Sequence, residues 1–366
     1  MEYPGSAVFY FFILTFVTLL SLVTNCNLKK NLKRFVVLLI VTILSCAAGF
    51  RGITVGIDTR AYYEVIYSIE GSIYYGMHGI SEPGFILLTR LLTQFIHSIP
   101  FVLLIFSLLT NGLIISRLWT VRESISFPLA IFSYVCLYYI FTYNVLRQWL
   151  AVAIIIYAIK YINKNRYFPF MIMVLIAYSF HYSALIALIM VPIDMIINKK
   201  NKNVFVFLFL FSPFVIYGIY VLINETSIVS QYQDVINNHY TGKILSLSML
   251  FRSLFLLFTM LFVKKNKESY VFLRHTVTFY CVYLVIGFLG VYNSMISRVS
   301  WYFAIYEIVY YGLIVKISKG RSNILFRFII VCFCLYLFVS GLIGNSNGQM
   351  PYIPFWKKIL LSEEII

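Results

Sequence analysis

Acidic side chains are scarce in this chain of 366 residues: 13 Asp and Glu stand against 29 Lys and Arg, and charged residues make up only 11%. A water-soluble domain of this length carries about 25% charge. The chain is also read as lacking a Walker loop, a GxGxxG, an HExxH and a GxSxG, which removes ATP hydrolysis, dinucleotide redox and familiar hydrolase chemistry as first expectations. There is no CxxC spacing. The six cysteines (Cys26, Cys46, Cys136, Cys281, Cys332, Cys334) lie in or at the ends of apolar runs and read as packing residues, with neither zinc nor a disulfide framework implied. No Gly/Ser/Pro-rich linker and no repeat of fixed period interrupts the chain, so residues 1–366 are expected to form a single integral membrane domain. No basic residue precedes the first apolar run, as a cleavable signal would require, so that run is expected to remain as a span.

What is abundant is apolar: 61% of the residues are hydrophobic. Runs of roughly 17 to 25 such residues are what a helix needs to cross about 30 Å of hydrocarbon. Lipid cannot satisfy peptide groups, so the runs must be helical, and the alternation of a β-barrel is absent. The expected fold is all-α and polytopic. About twelve spans are readable, near 6–24, 35–50, 100–117, 127–143, 146–162, 167–181, 183–197, 204–223, 244–263, 271–291, 299–316 and 324–342.

The net charge of +16 does not point to nucleic acid, because the basic residues cluster in short junctions between apolar runs. Those clusters occupy every second junction, beginning with Lys29, Lys30, Lys33 and Arg34 and ending with Lys316, Lys319 and Arg321. The inside-positive bias then places both termini outside, provided that the segment near 84–98 does not cross. Thr89, Arg90, Thr93, Gln94 and His97 recur at three and four, which predicts one wet face on an interfacial or re-entrant helix starting at Pro83. Residues 51–99 become an extracytoplasmic loop and interfacial helix. The segments near 167–181 and 183–197, joined by His181 and Tyr182, read as a broken pair that lines a cavity.

Four of the scarce acids, Asp58, Glu64, Glu70 and Glu82, fall between Arg51 and Glu82, the longest stretch that cannot sit in hydrocarbon. Asp58 lies between Arg51 and Arg60 in sequence, and a carboxylate held by arginine stays ionised, suited to accepting a proton from a hydroxyl. Tyr62 follows as a ring that stacks on sugars. Asn144, Arg147 and Gln148 share one helical face, where the planar guanidinium fits phosphate oxygens. His181 is a candidate general base or acid, and Arg298, among Asn293, Ser297 and Trp301, a second anion-binding arginine. Arg252 and Glu307 fall inside apolar runs and are expected to pair, so that reversing both charges rescues the single swaps. Asp194 reads as compensation for the nearby cluster Lys199, Lys200 and Lys202, and PYIPFWKK in the tail as an interfacial helix or hook.

Taken in order, RGITVGIDTRAYY, SEPGF, NVLRQWLAVAI, SFHYSAL and SRVSWY resemble the EpsG family of bacterial membrane proteins, which belongs with the Wzy-type polysaccharide polymerases. The likeness runs from about residue 35 to 300, and Ile57 replaces the threonine usual before the aspartate. It implies a GT-C-like glycosyltransferase that uses no cofactor or nucleotide sugar, in the bacterial inner membrane with its site on the extracytoplasmic side. Donor and acceptor would be undecaprenyl-diphosphate-linked repeat units of an exopolysaccharide, capsule or O-antigen. A chain-length regulator is a partner that the resemblance leaves open.

Carried onto this chain, the motif positions are Arg51, Asp58, Tyr62, Glu82, Arg147, Gln148, His181 and Arg298. Asp58, His181 and Glu82 are then the candidate catalytic residues, and Arg51, Arg60, Tyr62, Arg147, Gln148 and Arg298 the substrate-binding ones, with no metal ligand set required. Two rivals remain. A membrane O-acyltransferase would also use a histidine in an apolar bundle, and a lipid-linked glycan flippase would bind diphosphate without breaking it.

Overall fold

In the computed structural model, residues 3–71, 80–198, 246–262, 267–292 and 294–360 are described, and their secondary structure is helical apart from an isolated bridge between Arg51 and Pro354. The helices are α1 (Pro4–Val23), α2 (Lys30–Gly49), α3 (Thr59–Glu70), α4 (Pro83–Thr93), α5 (Ile99–Thr120), α6 (Phe127–Tyr134), α7 (Phe141–Asn144) and α8 (Leu146–Ile162). They continue as α9 (Tyr167–Phe180), α10 (Met190–Asn198), α11 (Leu247–Phe262), α12 (Lys267–Tyr292), α13 (Ser294–Ser300), α14 (Ile305–Ile317) and α15 (Arg321–Gly344). Proline occupies the first turn of α1, α4, α5 and α6, where the missing N–H would have had no partner anyway.

Among the described residues, α1, α2, α5, α12 and α15 are long and apolar enough to cross a membrane, against the about twelve spans expected. Shorter apolar helices accompany them, at 127–139, 167–180, 182–197 and 247–261. Two expectations lie outside the described residues: the span at 204–223 and the basic cluster at 199, 200 and 202. The exposed faces of the spanning helices are as apolar as the buried ones. In α1, Tyr10, Leu14 and Val17 are buried while Val8, Phe12, Phe16 and Leu19 face outward, as a helix in lipid requires. The chain is a multi-pass membrane protein.

The chain gathers into two compact units, Met1–Leu185 with Arg327–Ile366, and Ile186–Phe326. In the first, α2 packs along α5 and α8 forms a hairpin with α9, turning through Asn165 at φ 55°. The run from α6 to α7 contains a π-helical turn, Val135–Tyr139, and breaks at Val145 before α8 begins. After α9, His181 is extended (φ −159°, ψ 122°) and the chain continues as the 3-10 helix Tyr182–Ile189. The break expected at His181 is therefore present.

Two expectations need correcting. Thr89 and Thr93 of α4 are buried, and it is Leu87, Leu91 and Phe95 that are exposed. The expected wet face is thus split: its hydroxyls point into the protein, where Thr93 donates to the Thr89 carbonyl at 3.1 Å, and only Arg90, Gln94 and His97 face out. In a membrane the apolar face needs no protein to cover it. With 11 residues and a rise of about 1.5 Å each, α4 is too short to cross. Tyr62, expected to offer an exposed ring to sugars, is instead 4% exposed, with its ring centre 6.1 Å from that of Phe85. In the second unit Asp194 Oδ1 lies 2.9 Å from His275 Nδ1, and the lysines that Asp194 was expected to compensate lie outside the described residues.

The pairing expected of Arg252 and Glu307 is observed: Arg252 Nε donates to Glu307 Oε1 at 2.6 Å, and the Tyr311 hydroxyl donates to the same oxygen at 2.7 Å. The side chains are 7% and 0% exposed. Two charges this deep are tolerable only because each neutralises the other and the phenol adds a donor.

Candidate functional site

The stretch after α2 is built around Arg51, which is fully buried. Its Nε donates to Thr59 Oγ1 at 3.1 Å, Nη2 to the Tyr143 carbonyl at 2.7 Å, and Nη1 to the Ala48 carbonyl; the guanidinium also lies 5.3 Å from the centre of the Tyr143 ring. The Thr59 hydroxyl in turn donates to the Val55 carbonyl at 2.6 Å. The Arg51 donors therefore tie the end of α2, the start of α3 and the end of α7 together. The π-helical turn lies directly upstream of Tyr143, and such turns cluster at functional sites.

Gly56 makes the loop possible. It sits at φ +94°, and a Cβ there would come within 2.7 Å of both Asn144 Oδ1 and Thr59 Oγ1. Gly56→Ala is expected to destabilise the first unit by ~1–3 kcal/mol, measured as thermal unfolding in detergent.

Asp58 follows at the N-cap of α3, half-buried. One turn on, Tyr62 is 4% exposed; burial pushes its phenol pKa up, the positive charge of Arg147 opposes this, and the negative charge of Asp58 adds to it. Tyr62 therefore stays protonated at ordinary pH, as a hydrogen-bond donor. Arg147 comes from the first turn of α8, with a side chain 18% exposed, and its Nη1 donates to Glu82 Oε2. Glu82 is the residue before α4, its side chain 6% exposed, and Oε2 also accepts from the Ser81 N–H at 3.2 Å. Among the described residues, none partners Arg147 Nε, which is buried.

His181 joins from the end of α9. Its Nδ1 faces the Ser183 N–H at 3.3 Å and hydroxyl at 3.2 Å, and the adjacent Tyr182 hydroxyl donates to the Ser81 carbonyl at 3.0 Å. Gly84 lets α4 approach α9 at this end, because a Cβ there would overlap Ser179. The structure thus gathers Asp58, Tyr62, Glu82 and Arg147 where α3, α4 and α8 meet, and links His181 to them through Tyr182 and Ser81. Gln148 is buried beside Arg147 in α8. Arg60 lies elsewhere on α3: its side chain is 81% exposed and it pairs with Glu64 at 3.3 Å. Arg298 is half-buried in α13, in the second unit.

Sequence reasoning passed over Ser81, Tyr182 and the residues just beyond α15. The reading that no GxSxG is present needs correcting, since residues 344–348, GNSNG, spell it; but they leave a helix and form a turn instead of passing from strand into helix, so they do not build a nucleophile elbow. Their partners are the informative signal: Asn144 Nδ2 donates to the Asn347 carbonyl at 2.8 Å.

No curated protein and no solved structure matches the chain. A family model does: the one described as the EpsG family, over residues 34–355. That match runs from the first basic cluster to beyond the last spanning helix, taking in every part of the site just described, and the chain therefore belongs to the EpsG family of Wzy-type polymerases.

Proposed function

We propose that this chain polymerises an exopolysaccharide by transferring a growing glycan from one undecaprenyl diphosphate to a second lipid-linked repeat unit, on the extracytoplasmic side of the bacterial inner membrane and within a GT-C-like polytopic scaffold. The observation that carries the assignment is Arg147. In a chain poor in charge it is held by Glu82 beside Tyr62 and Asp58, and its Nε has no hydrogen-bond partner among the described residues. A buried donor of this kind is costly unless a ligand completes it, and a diphosphate oxygen suits a guanidinium edge.

In the transfer, the acceptor hydroxyl oxygen bonds to the anomeric carbon, the bond from that carbon to phosphate breaks, and undecaprenyl diphosphate leaves. Arg147 stabilises the charge that develops on the leaving group, so neither ATP nor a divalent ion is needed. Asp58 or His181 takes the hydroxyl proton. Glu82 orients Arg147, and Tyr62 offers its hydroxyl to the same anion or to a sugar. Arg51, with its donors already used inside the fold, acts by shaping the loop. Arg60, exposed and paired with Glu64, keeps its assisting role at the diphosphate on its sequence context alone. Arg298 keeps its role as a second anion-binding arginine on its sequence context alone.

The test supplies purified protein in detergent or nanodiscs with a lipid-linked repeat unit and resolves the glycans by length. A ladder of longer glycans, with release of undecaprenyl diphosphate, is expected. Transfer of an acyl group instead would assign the chain to the acyltransferases, and movement of intact units across a vesicle membrane without elongation would make it a flippase.

A further inference from the structure

Beyond α15 the chain does not simply end at the surface. Residues 345–355 turn back and bond along the whole stretch that precedes Asp58. The Gly52 N–H donates to the Ile353 carbonyl at 2.7 Å, the Gly56 N–H to Gly348 at 2.7 Å, and the Ile57 N–H to Asn347 at 3.3 Å. In the other direction the Phe355 N–H donates to the Phe50 carbonyl at 3.0 Å.

The strap is itself held in shape. Asn345, at φ 45°, accepts from the Met350 N–H at 2.9 Å and donates to the Met350 carbonyl at 2.7 Å. Gln349 Nε2 donates to the Gly341 carbonyl at 2.7 Å, and Tyr10 donates to the Gln349 carbonyl at 2.9 Å. Gly348 sits at φ +61°, where a Cβ would stand 3.2 Å from both Ile57 N and Ile57 Cγ1.

Asn347 accepts from Ile57, the residue before Asp58, and from the side chain of Asn144, three residues before Arg147. The Asn144 amide also approaches Asn347 Oδ1 at 3.3 Å. A single strap residue therefore bridges the loop that carries the acid and the break that starts the helix carrying the arginine. We propose that the 345–355 strap is a positioning element for the polymerase site, fixing Asp58 relative to Arg147 without touching substrate. This rests on the transferase reading above. Misplacing a reacting group by about 1 Å costs roughly 10²-fold in rate even when binding survives.

The variants are Gly348→Ala, which pushes the strap off Ile57, and Asn345→Ala, which opens its turn; Gly5→Ala, where a Cβ meets nothing within 4 Å, is the control. Two measurements are made on the full-length purified protein. In hydrogen exchange, both strap variants are expected to exchange faster over 52–62 and 142–148, with the other helices of the first unit unchanged. In the lipid-linked repeat-unit assay, kcat is expected to fall ~10- to 100-fold with KM changed less than about threefold, the signature of lost transition-state alignment. Unchanged exchange over those segments overturns the positioning role, whatever the activity. A wild-type kcat in variants whose exchange has risen overturns it too. A wild-type protein that makes no ladder defeats the transferase reading instead, and exchange then decides whether the strap still organises the loop.

Discussion

Arg147→Lys is expected to lower polymer formation by at least ~10²-fold, the loss typical of removing one preorganised donor from a site where negative charge develops. The substitution keeps the charge and the link to Glu82 but removes the planar fork, and with it the Nε that has no partner among the described residues. Glu82→Gln acts on the same pair from the other side. It keeps an acceptor for Arg147 yet removes the charge that holds the guanidinium, and a smaller loss is expected. Membranes from a strain carrying only the variant would show single repeat units at the surface and no long chains, with protein abundance unchanged. Wild-type chain lengths from Arg147→Lys would remove this residue from the mechanism.

The second large effect is on stability. Replacing Glu307 with alanine strands Arg252 in a region where the pair is at most 7% exposed, and breaking a buried pair in this way costs about 3–5 kcal/mol. Thermal unfolding in detergent and protein abundance in membranes report it. Exchanging the two charges is expected to recover only part of the loss. Tyr311 donates to the Glu307 carboxylate, and an arginine at 307 would present that hydroxyl with another donor. Substituting Arg252→Met together with Glu307→Leu should come closer to wild-type stability, because it leaves no charge to solvate. A Glu307→Ala protein as stable as wild type would show that water reaches the pair.

The membrane-spanning scaffold was legible because its signal is compositional: long apolar runs with basic junctions mean the same thing wherever the helices pack. The Arg252 to Glu307 pair was legible for a related reason, since two isolated opposite charges in apolar runs have few alternatives to each other. The site was legible only as a set of names. That Glu82 would meet Arg147, 65 positions away, depends on the close approach of α4 to α9 at Gly84, on the hairpin of α9 with α8 and on the break at Val145. Nor does the sequence distinguish Arg51, each of whose nitrogens donates inside the fold, from Arg147, whose Nε has no partner among the described residues. The orientation of α4 went wrong for an instructive reason. Polar periodicity marks the outward face of a helix in water, whereas against lipid the threonines turn inward and leucines stay outside.

The strap also sets an order of events during biosynthesis. Tyr10 bonds to a residue 339 positions later, Ala47 to one 305 positions later, and Asn144 to one 203 positions later. A ribosome delivers residues 51–58 to the membrane long before it has made the segment that pins them. Until α15 has been inserted, the loop carrying Asp58 lacks its partners, so nascent and C-terminally clipped chains should be inserted yet catalytically silent. A cell would thereby be spared half-made polymerases competing for its limited supply of lipid-linked sugar.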